Sequence, residues 1–175
     1  IDPDEGPVAG GNTLTITGSN LTGATVEIDG NACTPVTVNL AGTSLTCTVP
    51  AGTDPGAVDV AVTTTEGGTT TSTGAYTYVG LPSAAAIDPS SGPTTGGQTV
   101  TITGTNFEFA TSVTIGGAAC TNLTWNANEQ ELTCTTPPGT AGTTTVLVTT
   151  PGGTTTTNYT YVPAPTVSAI APDAG

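Results

Sequence analysis

The strongest constraint on the fold is that the chain repeats itself. Residues 1–20 read IDPDEGPVAGGNTLTITGSN, and residues 87–106 read IDPSSGPTTGGQTVTITGTN. Later blocks match in the same order: VEIDGNAC with VTIGGAAC, SLTCTVPAGT with ELTCTTPPGT, and AYTYV with NYTYV. The opening phrase returns once more as IAPDAG at 170–175. A period of about 85 residues means that one structural unit occurs twice and begins a third time.

The repeat also predicts the domain organisation. We expect a first domain at residues 1–80, a second domain at 81–163, and the start of a third repeat at 164–175. The segment PSAAAI at 82–87 is matched by PTVSAI at 165–170, and it has no match before Ile1. We therefore expect the first domain to lack its opening strand, and the chain to be a stretch of a longer tandem array.

The segments between the repeats are short. Gly80-Leu81-Pro82 joins the first copy to the second, and Pro163-Ala164-Pro165 follows the second copy. Proline restricts φ, and few residues remain free to flex. We therefore expect neighbouring domains to hold a limited range of angles, as in a stiff chain of beads.

Within each copy, apolar residues alternate with Thr, which supplies about a quarter of the chain. Leu14 and Ile16 in the first copy, and Val100 and Ile102 in the second, are each flanked by Thr. A period of two with one apolar face is typical of strands in sheets that pack face to face, and Thr favours strands. Gly-rich turns separate the runs, and no window has a helical period. The sequence predicts an all-β chain of two tandem immunoglobulin-like β-sandwiches.

These blocks resemble a known family. The pattern P-x-x-G-P-x-x-G-G-x-T-[VL]-T-I-T-G-[ST]-N-[LF], followed by I-[DG]-G-x-x-C and L-T-C-T-x-P-x-G, occurs twice and resembles the IPT/TIG domain. The resemblance implies an immunoglobulin-like fold of the kind found in plexins, some transcription factors and many bacterial surface proteins. The DNA-binding branch of that family fits poorly, because the chain has no Lys or Arg.

Four cysteines form two pairs with the same spacing. Cys33 and Cys47 are 14 residues apart, and so are Cys120 and Cys134. Four cysteines allow three pairings, and the repeat favours one internal disulfide in each domain. Zinc ligation and buried free thiols are the alternatives; zinc lacks His and C-x-x-C partners here. Because disulfides persist in oxidising compartments, we expect an extracellular or cell-surface protein.

The charge of the chain excludes several functions. There are 13 acidic residues and no Lys, Arg or His, which gives a formal net charge of −13 at pH 7. Nucleic-acid binding and adhesion to anionic lipid both depend on Lys and Arg, so we expect neither. No apolar run approaches the length of a membrane span, so we expect no direct membrane insertion.

Catalysis also has few candidate groups. Without His, Lys or an activated nucleophile we expect no enzyme and no resident cofactor. The carboxylate pairs Glu27/Asp29 and Glu129/Glu131 do not recur between the copies, and we expect both to be solvated.

An acidic cluster near the start of the first copy is a candidate calcium site. Asp2, Asp4 and Glu5 lie within four residues at an expected domain junction, and calcium takes six to eight oxygen ligands. The second copy has Asp88-Pro89-Ser90-Ser91 at the same place, so a site used in every repeat would be weak. The alternative is a solvated loop shaped by Pro and Gly.

Three asparagines lie in glycosylation sequons: Asn20, Asn122 and Asn158. The tripeptide is common by chance in a Thr-rich chain. Asn20 and Asn106 also share the position G-[ST]-N, where Asn can adopt a left-handed turn without any sugar.

Trp125 occurs only in the second copy, and it is a candidate for contact with a glycan or a protein. Packing in the core or at a sheet edge is the alternative.

Two classes of function follow from these features. The first is a structural or adhesive segment of a long extracellular repeat protein, forming a stiff stalk or surface filament. Its partners would be neighbouring repeats and other copies of the chain. The second is a glycan- or protein-binding module of a surface receptor or adhesin. A binding site should be special to one copy, whereas a stalk needs only the framework that both copies share, and most of the sequence is shared framework.

Overall fold

The structure is a computed structural model that describes residues 1–126, 128 and 130–169. Every regular element in this part of the chain is a β-strand, as the alternation predicted. The first domain contains β1 (Glu5–Pro7), β2 (Thr13–Thr17), β3 (Thr25–Ile28), β4 (Asn31–Ala32), β5 (Thr37–Val38), β6 (Ser44–Thr48), β7 (Gly56–Thr64) and β8 (Gly68–Val79).

The second domain repeats these strands and adds one at its start. It contains β9 (Ser83–Asp88), β10 (Ser91–Pro93), β11 (Thr99–Thr105), β12 (Ser112–Ile115), β13 (Ala118–Ala119), β14 (Thr121–Trp125), β15 (Glu131–Thr135), β16 (Gly142–Thr150) and β17 (Gly153–Val162). The addition is β9, whose last pair, Asp88 with Thr101, matches the bridge between Asp2 and Thr15 in the first domain.

Each domain is a sandwich of two sheets. In the first domain one sheet has the order β1-β8-β7-β3-β4, and the other has the order β2-β6-β5. In the second domain the corresponding sheets are β10-β17-β16-β12-β13 and β14-β15-β11-β9. The short strands β1 and β10 pair in parallel with the last strand of their own domain, while the other ladders are antiparallel. Two immunoglobulin-like sandwiches in tandem are therefore confirmed.

Strand alternation places one apolar face of each sheet in the core. In β2 the side chains of Leu14 and Ile16 are buried, while Thr13 and Thr17 are exposed. The two cores are separate clusters, one for each domain. Hydrophobic burial of this kind is the main stabilising contribution for a domain of about 80 residues.

Two tyrosines near the end of each domain link its core to its loops. The ring centroids of Tyr76 and Tyr78 are 5.2 Å apart in an edge-to-face arrangement, and both side chains are buried. The Tyr78 hydroxyl donates a hydrogen bond of 2.8 Å to the carbonyl oxygen of Pro50. Tyr161 donates in the same way to Pro137 in the second domain. A buried Tyr needs such a partner, because an unsatisfied hydroxyl is costly.

The predicted domain limits, and some of the predicted residues, are not tested by the structure. The domain limits of 1–80, 81–163 and 164–175 stay predictions, and residues 170–175 of the third repeat lie outside the described residues, as does Glu129. Within the described part of the chain, no helix has the length and apolar character needed to cross a membrane.

Candidate functional site at the interdomain joint

Each domain is held together by one disulfide between its two sheets. Cys33 follows β4 and bonds to Cys47 in β6, with their Cα atoms 5.6 Å apart. Cys120 follows β13 and bonds to Cys134 in β15, with a Cα separation of 5.8 Å. The predicted pairing of one bridge per domain is confirmed. A bridge of this kind ties the sheets against forces that would separate them.

The segment that joins the domains is buried rather than solvated. Val79 is 2% exposed, and Gly80 and Pro82 are also buried, whereas Leu81 is 68% exposed. Strand β8 ends at Val79 and β9 begins at Ser83, so only three residues separate the last strand of one domain from the first strand of the next. The linker therefore has little freedom to change direction.

Residues of the second domain hold this linker from two sides. The side-chain amide of Asn106 donates a hydrogen bond of 2.9 Å to the carbonyl oxygen of Leu81. Gly152 packs against the backbone of Gly80 so closely that any side chain there would clash with the Gly80 carbonyl. On the other side, a side chain at Gly80 would meet Pro55 of the first domain. Gly80 is thus enclosed by both domains.

The strand after the linker is fixed to both sheets of the second domain. β9 pairs antiparallel with β11, from Thr101 opposite Asp88 to Thr105 opposite Ser83. The backbone N–H of Ala84 also donates to the Thr155 hydroxyl oxygen in β17, at 3.2 Å. The linker consequently continues into a strand that belongs to the core of the next domain.

Acidic side chains from the two domains approach one another at the joint. Desolvation raises the pKa of the Glu5 carboxyl above its usual range. A side-chain hydrogen bond with Asp4 and the negative charges of Asp4 and Glu108 raise it further. Glu5 belongs to the first domain and Glu108 to the second. The negative charge of Glu108 therefore disfavours ionisation of Glu5.

The predicted calcium site at Asp2, Asp4 and Glu5 is not assembled as a metal cage. Among the described residues, no group of three or more His, Cys, Asp or Glu side chains is arranged to hold a metal ion. Asp2 and Asp4 are exposed, and the backbone of Asp2 is engaged with Thr15 in a strand bridge. Calcium binding here stays a prediction that the geometry does not support.

The three sequon asparagines are all on the surface. Asn20, Asn122 and Asn158 are exposed, and Asn158 lies in β17. Asn20 and Asn106 both have a positive φ, of 58° and 56°, as the shared turn position predicted. Asn122 also has a positive φ and donates to the Thr135 hydroxyl oxygen. Glycosylation of these residues stays a prediction.

Trp125 is 45% exposed at the end of β14, which is an edge strand of its sheet. Phe107, which takes the place of Leu21 in the first copy, is fully buried in the core. The structure therefore leaves Trp125 available for contact, and the binding role predicted for it stays open.

Sequence reasoning missed the residues that hold the joint. Asn106 and Gly152 have counterparts in the first domain, Asn20 and Gly67, so the repeat marks them as framework. Their contact with the linker was not visible, because Leu81 and Asn106 are far apart in sequence. The one available signal was that the G-[ST]-N turn and the paired glycines recur in both copies.

Comparison with known proteins agrees with this architecture. A family model for the IPT/TIG domain matches residues 1–78 and again residues 82–162. Plexin-2 of Caenorhabditis elegans is 30% identical over 149 residues, which is 80% of this chain and 8% of that protein. Plexin A3 of Danio rerio is 28% identical over 191 residues, covering 99% of this chain and 10% of that protein. The chain thus spans a tenth or less of the curated relatives it matches.

A solved structure has the same fold. The full extracellular region of plexin A4 superposes with a TM-score of 0.54 and 24% identity, over 92% of this chain and 17% of that one. The family match and the two disulfides indicate an extracellular or cell-surface immunoglobulin-like module, as expected from the cysteines.

Proposed function

The chain belongs to the IPT/TIG domain family, and from that premise we propose that it is a non-catalytic structural segment of an extracellular repeat protein. Its role is to hold successive sandwiches at a fixed spacing and direction, as a stiff stalk. The mechanism is mechanical, since each domain is tied across its sheets by a disulfide and the joint between the two domains resists bending.

One observation carries this proposal, and it is the burial of the linker. A flexible tether would expose its backbone to water, and its length would let the domains reorient. Here Gly80 is enclosed by Pro55, Asn106 and Gly152, and Pro82 is buried. Bending the joint would expose this backbone and break the hydrogen bond from Asn106 to Leu81. Domain interfaces that are well packed favour one arrangement over many.

The proposal is tested by the distribution of interdomain distances in solution. Spin labels or fluorophores on one exposed residue of each domain, such as Thr25 and Thr140, report that distribution. We expect one narrow peak. A variant with Gly-Ser-Gly-Ser inserted after Gly80 should give a broad distribution.

The matched control inserts the same four residues between Thr65 and Glu66, in the exposed hairpin between β7 and β8. This control should keep the narrow peak. A broad distribution in the unmodified chain would contradict the stalk role, because the joint would then be flexible despite its packing.

A second candidate function is a binding module, and the exposure of Trp125 favours it. An exposed aromatic side chain on an edge strand can stack against a sugar ring or pack against a protein. Trp125 is also present in one copy only, which is what a dedicated site needs. In this case the chain would bind a surface glycan or a surface protein while it is part of a stalk.

Trp125 is the single Trp of the chain, so its fluorescence reports contact directly. Titration with a panel of soluble oligosaccharides should shift or quench the emission if the site binds glycan. The variant Trp125→Ala should lose any affinity measured by calorimetry. If no oligosaccharide changes the fluorescence or gives binding by calorimetry, the hypothesis of glycan binding at Trp125 is contradicted.

A further inference from the structure

The second domain has a longer open sheet edge than the first. β14 (Thr121–Trp125) is the outermost strand of the sheet β14-β15-β11-β9, so one of its sides has no neighbouring strand among the described residues. The equivalent edge strand of the first domain, β5 (Thr37–Val38), has only two residues. The repeat equates Asn122 with Pro35, and a proline has no N–H to offer at an edge. The second domain therefore lacks a residue that blunts this edge in the first domain.

The backbone of Trp125 points to the open side of β14. The N–H of Asn126 donates to the carbonyl oxygen of Glu131 at 3.1 Å, and Trp125 lies opposite Leu132 in the same ladder. In an antiparallel ladder, pairs that exchange hydrogen bonds alternate with pairs that do not. The N–H and C=O of Trp125 are therefore directed away from β15, and they offer one donor and one acceptor to a further strand.

The two faces of the sheet differ in chemistry beside this edge. Trp125 lies opposite the buried Leu132, and Leu123, two residues before it, packs against the core of the second domain. Thr124 is on the other face, where its hydroxyl is hydrogen-bonded to that of Thr133. Because side chains alternate along a strand, an added strand would place one set against the apolar face and the other set against the polar face.

A carboxylate is held on the polar face. Glu131 is exposed, and it shares the face of Thr133, which is two residues further along β15. The side-chain amide of Asn126 donates a hydrogen bond of 3.0 Å to the Glu131 Oε2 atom. The chain has no Lys, Arg or His, so none of its own side chains can neutralise this charge. A carboxylate at this position favours a cationic side chain on an incoming strand.

The first domain lacks the same features at matched positions. Val38 takes the place of Trp125 and packs against the first core, and Ser44 takes the place of Glu131. The aromatic side chain, the carboxylate and the longer edge therefore occur together in one copy only. A stalk needs only the framework that both copies share, so these differences favour a role in binding.

The charge of the whole chain favours a basic partner over a second copy. The formal net charge is −13, and no side chain is basic. A second copy would bring charge of the same sign to the edge, and it could supply no cation to Glu131. A segment with Lys or Arg would instead be attracted to the chain and would find a carboxylate beside the open edge.

We propose that the open edge of β14 binds an extended segment of a partner protein in which apolar and basic residues alternate. The segment adds to β14 as an antiparallel strand, as in the rest of this sheet, and pairs with the N–H and C=O of Trp125. Its apolar side chains pack against Trp125 and Leu123, and a Lys or Arg side chain pairs with Glu131. In strand addition, main-chain hydrogen bonds give affinity and alternate side chains give specificity. The inference rests on the binding role proposed for Trp125 and names the partner of that site.

The first test uses the synthetic peptide Thr-Val-Lys-Val-Arg-Val-Thr with the 175-residue chain. Hydrogen exchange followed by NMR should show that the backbone N–H of Trp125 exchanges rapidly in the free chain and is protected when the peptide binds. The fluorescence of Trp125 should shift in the same titration. The acidic peptide Thr-Val-Glu-Val-Glu-Val-Thr should bind at least about tenfold more weakly, because its carboxylates would approach Glu131.

Methylated peptides test the main-chain hydrogen bonds. In the proposed antiparallel pairing the Val residues share the face of Trp125, so their N–H groups point toward β14. N-methylation of the Val residues should therefore abolish binding. N-methylation of the Lys and Arg residues is the matched control, and it should leave most of the affinity, because those N–H groups point away from β14.

Variants of the chain test the two side chains. Trp125→Val installs the residue of the first copy and should weaken binding of the basic peptide by about tenfold in calorimetry. Glu131→Gln keeps an acceptor for the Asn126 amide and removes the charge, and we expect a loss of about threefold. Glu66→Gln makes the same change of net charge in the exposed hairpin between β7 and β8, and it should leave binding unchanged. Unfolding of all three variants by urea separates loss of binding from loss of the fold.

Several results would overturn the proposal. These are a Trp125 N–H that the basic peptide does not protect, equal affinities for the basic and acidic peptides, and unchanged binding after N-methylation of the Val residues. Protection of that N–H in the free chain, with a molar mass that doubles in light scattering, would show that a second copy occupies the edge. Binding of oligosaccharides but not of the peptide would assign Trp125 to a glycan. Interdomain distances test the stalk role separately, so a failed peptide leaves that result standing.

Discussion

The side-chain amide of Asn106 donates a hydrogen bond of 2.9 Å to the carbonyl oxygen of Leu81, which ties a turn of the second domain to the linker. The backbone of Asn106 at this turn has a φ of 56°, in the left-handed region. Asn is one of the few residues that tolerates this conformation. The bond links local turn geometry to the direction in which one domain follows another.

Replacing this asparagine should loosen the joint without unfolding the turn. Asn106→Gly keeps the positive φ at little cost and removes the donor. We expect the second domain to lose about 1 kcal/mol in its free energy of unfolding, measured with urea. The interdomain distance distribution should broaden as well. Asn20→Gly is the matched control in the first domain, and it should change neither quantity; equal effects of the two variants would contradict this account.

Removing a disulfide should destabilise one domain at a time. The double variant Cys33→Ser/Cys47→Ser frees a loop of about 15 residues, and we expect its domain to lose about 3 kcal/mol. Thermal unfolding should then show two transitions, with the first domain melting earlier. Cys120→Ser/Cys134→Ser should reverse the order, because the second domain then lacks its bridge. An unchanged melting temperature in either variant would show that the disulfide removed in that variant does not stabilise its domain.

The charge of Glu5 should make stability depend on pH. Burial and the nearby carboxylates of Asp4 and Glu108 raise its pKa in the folded state, so the folded chain holds this proton at a higher pH than the unfolded chain. The resulting stability is complete below the unfolded pKa and is lost as pH rises through the folded pKa. Glu5→Gln should therefore stabilise the chain at pH 7, by less than about 1 kcal/mol because solvent screens the charges. Urea unfolding at several pH values should show the gain disappear below about pH 4.

Tyr78 should make the first domain sensitive to alkali. Burial is the main cause that raises the pKa of its hydroxyl to about 12, with smaller contributions from Tyr76 and Asp29. Stability is therefore complete below the unfolded pKa, near 10, and it is lost as pH rises toward 12. Tyr78→Phe removes the bond to the Pro50 carbonyl and should cost about 1 kcal/mol at pH 8. If the variant loses as much stability as the unmodified chain between pH 8 and pH 11, ionisation of Tyr78 is not the cause of the alkaline destabilisation.

The local structure and its repetition could be predicted from the sequence. Leu14 and Ile16 alternate with Thr because a strand places successive side chains on opposite faces, and β2 follows that pattern. The equal spacing of the two cysteine pairs indicated one bridge in each domain, and both bridges form.

Contacts between residues that are distant in sequence could not be predicted in this way. Nothing in the spacing of Leu81, Asn106 and Gly152 indicated that they enclose one linker, because such contacts depend on how two complete sandwiches pack. The same holds for Glu5 and Glu108, whose charges interact across the joint. The different surroundings of Gly18 and Gly104 are also invisible in two identical T-I-T-G motifs. Periodicity is a local property that the sequence records, whereas burial of a linker or of a glycine is set by surfaces that come together only in the folded chain.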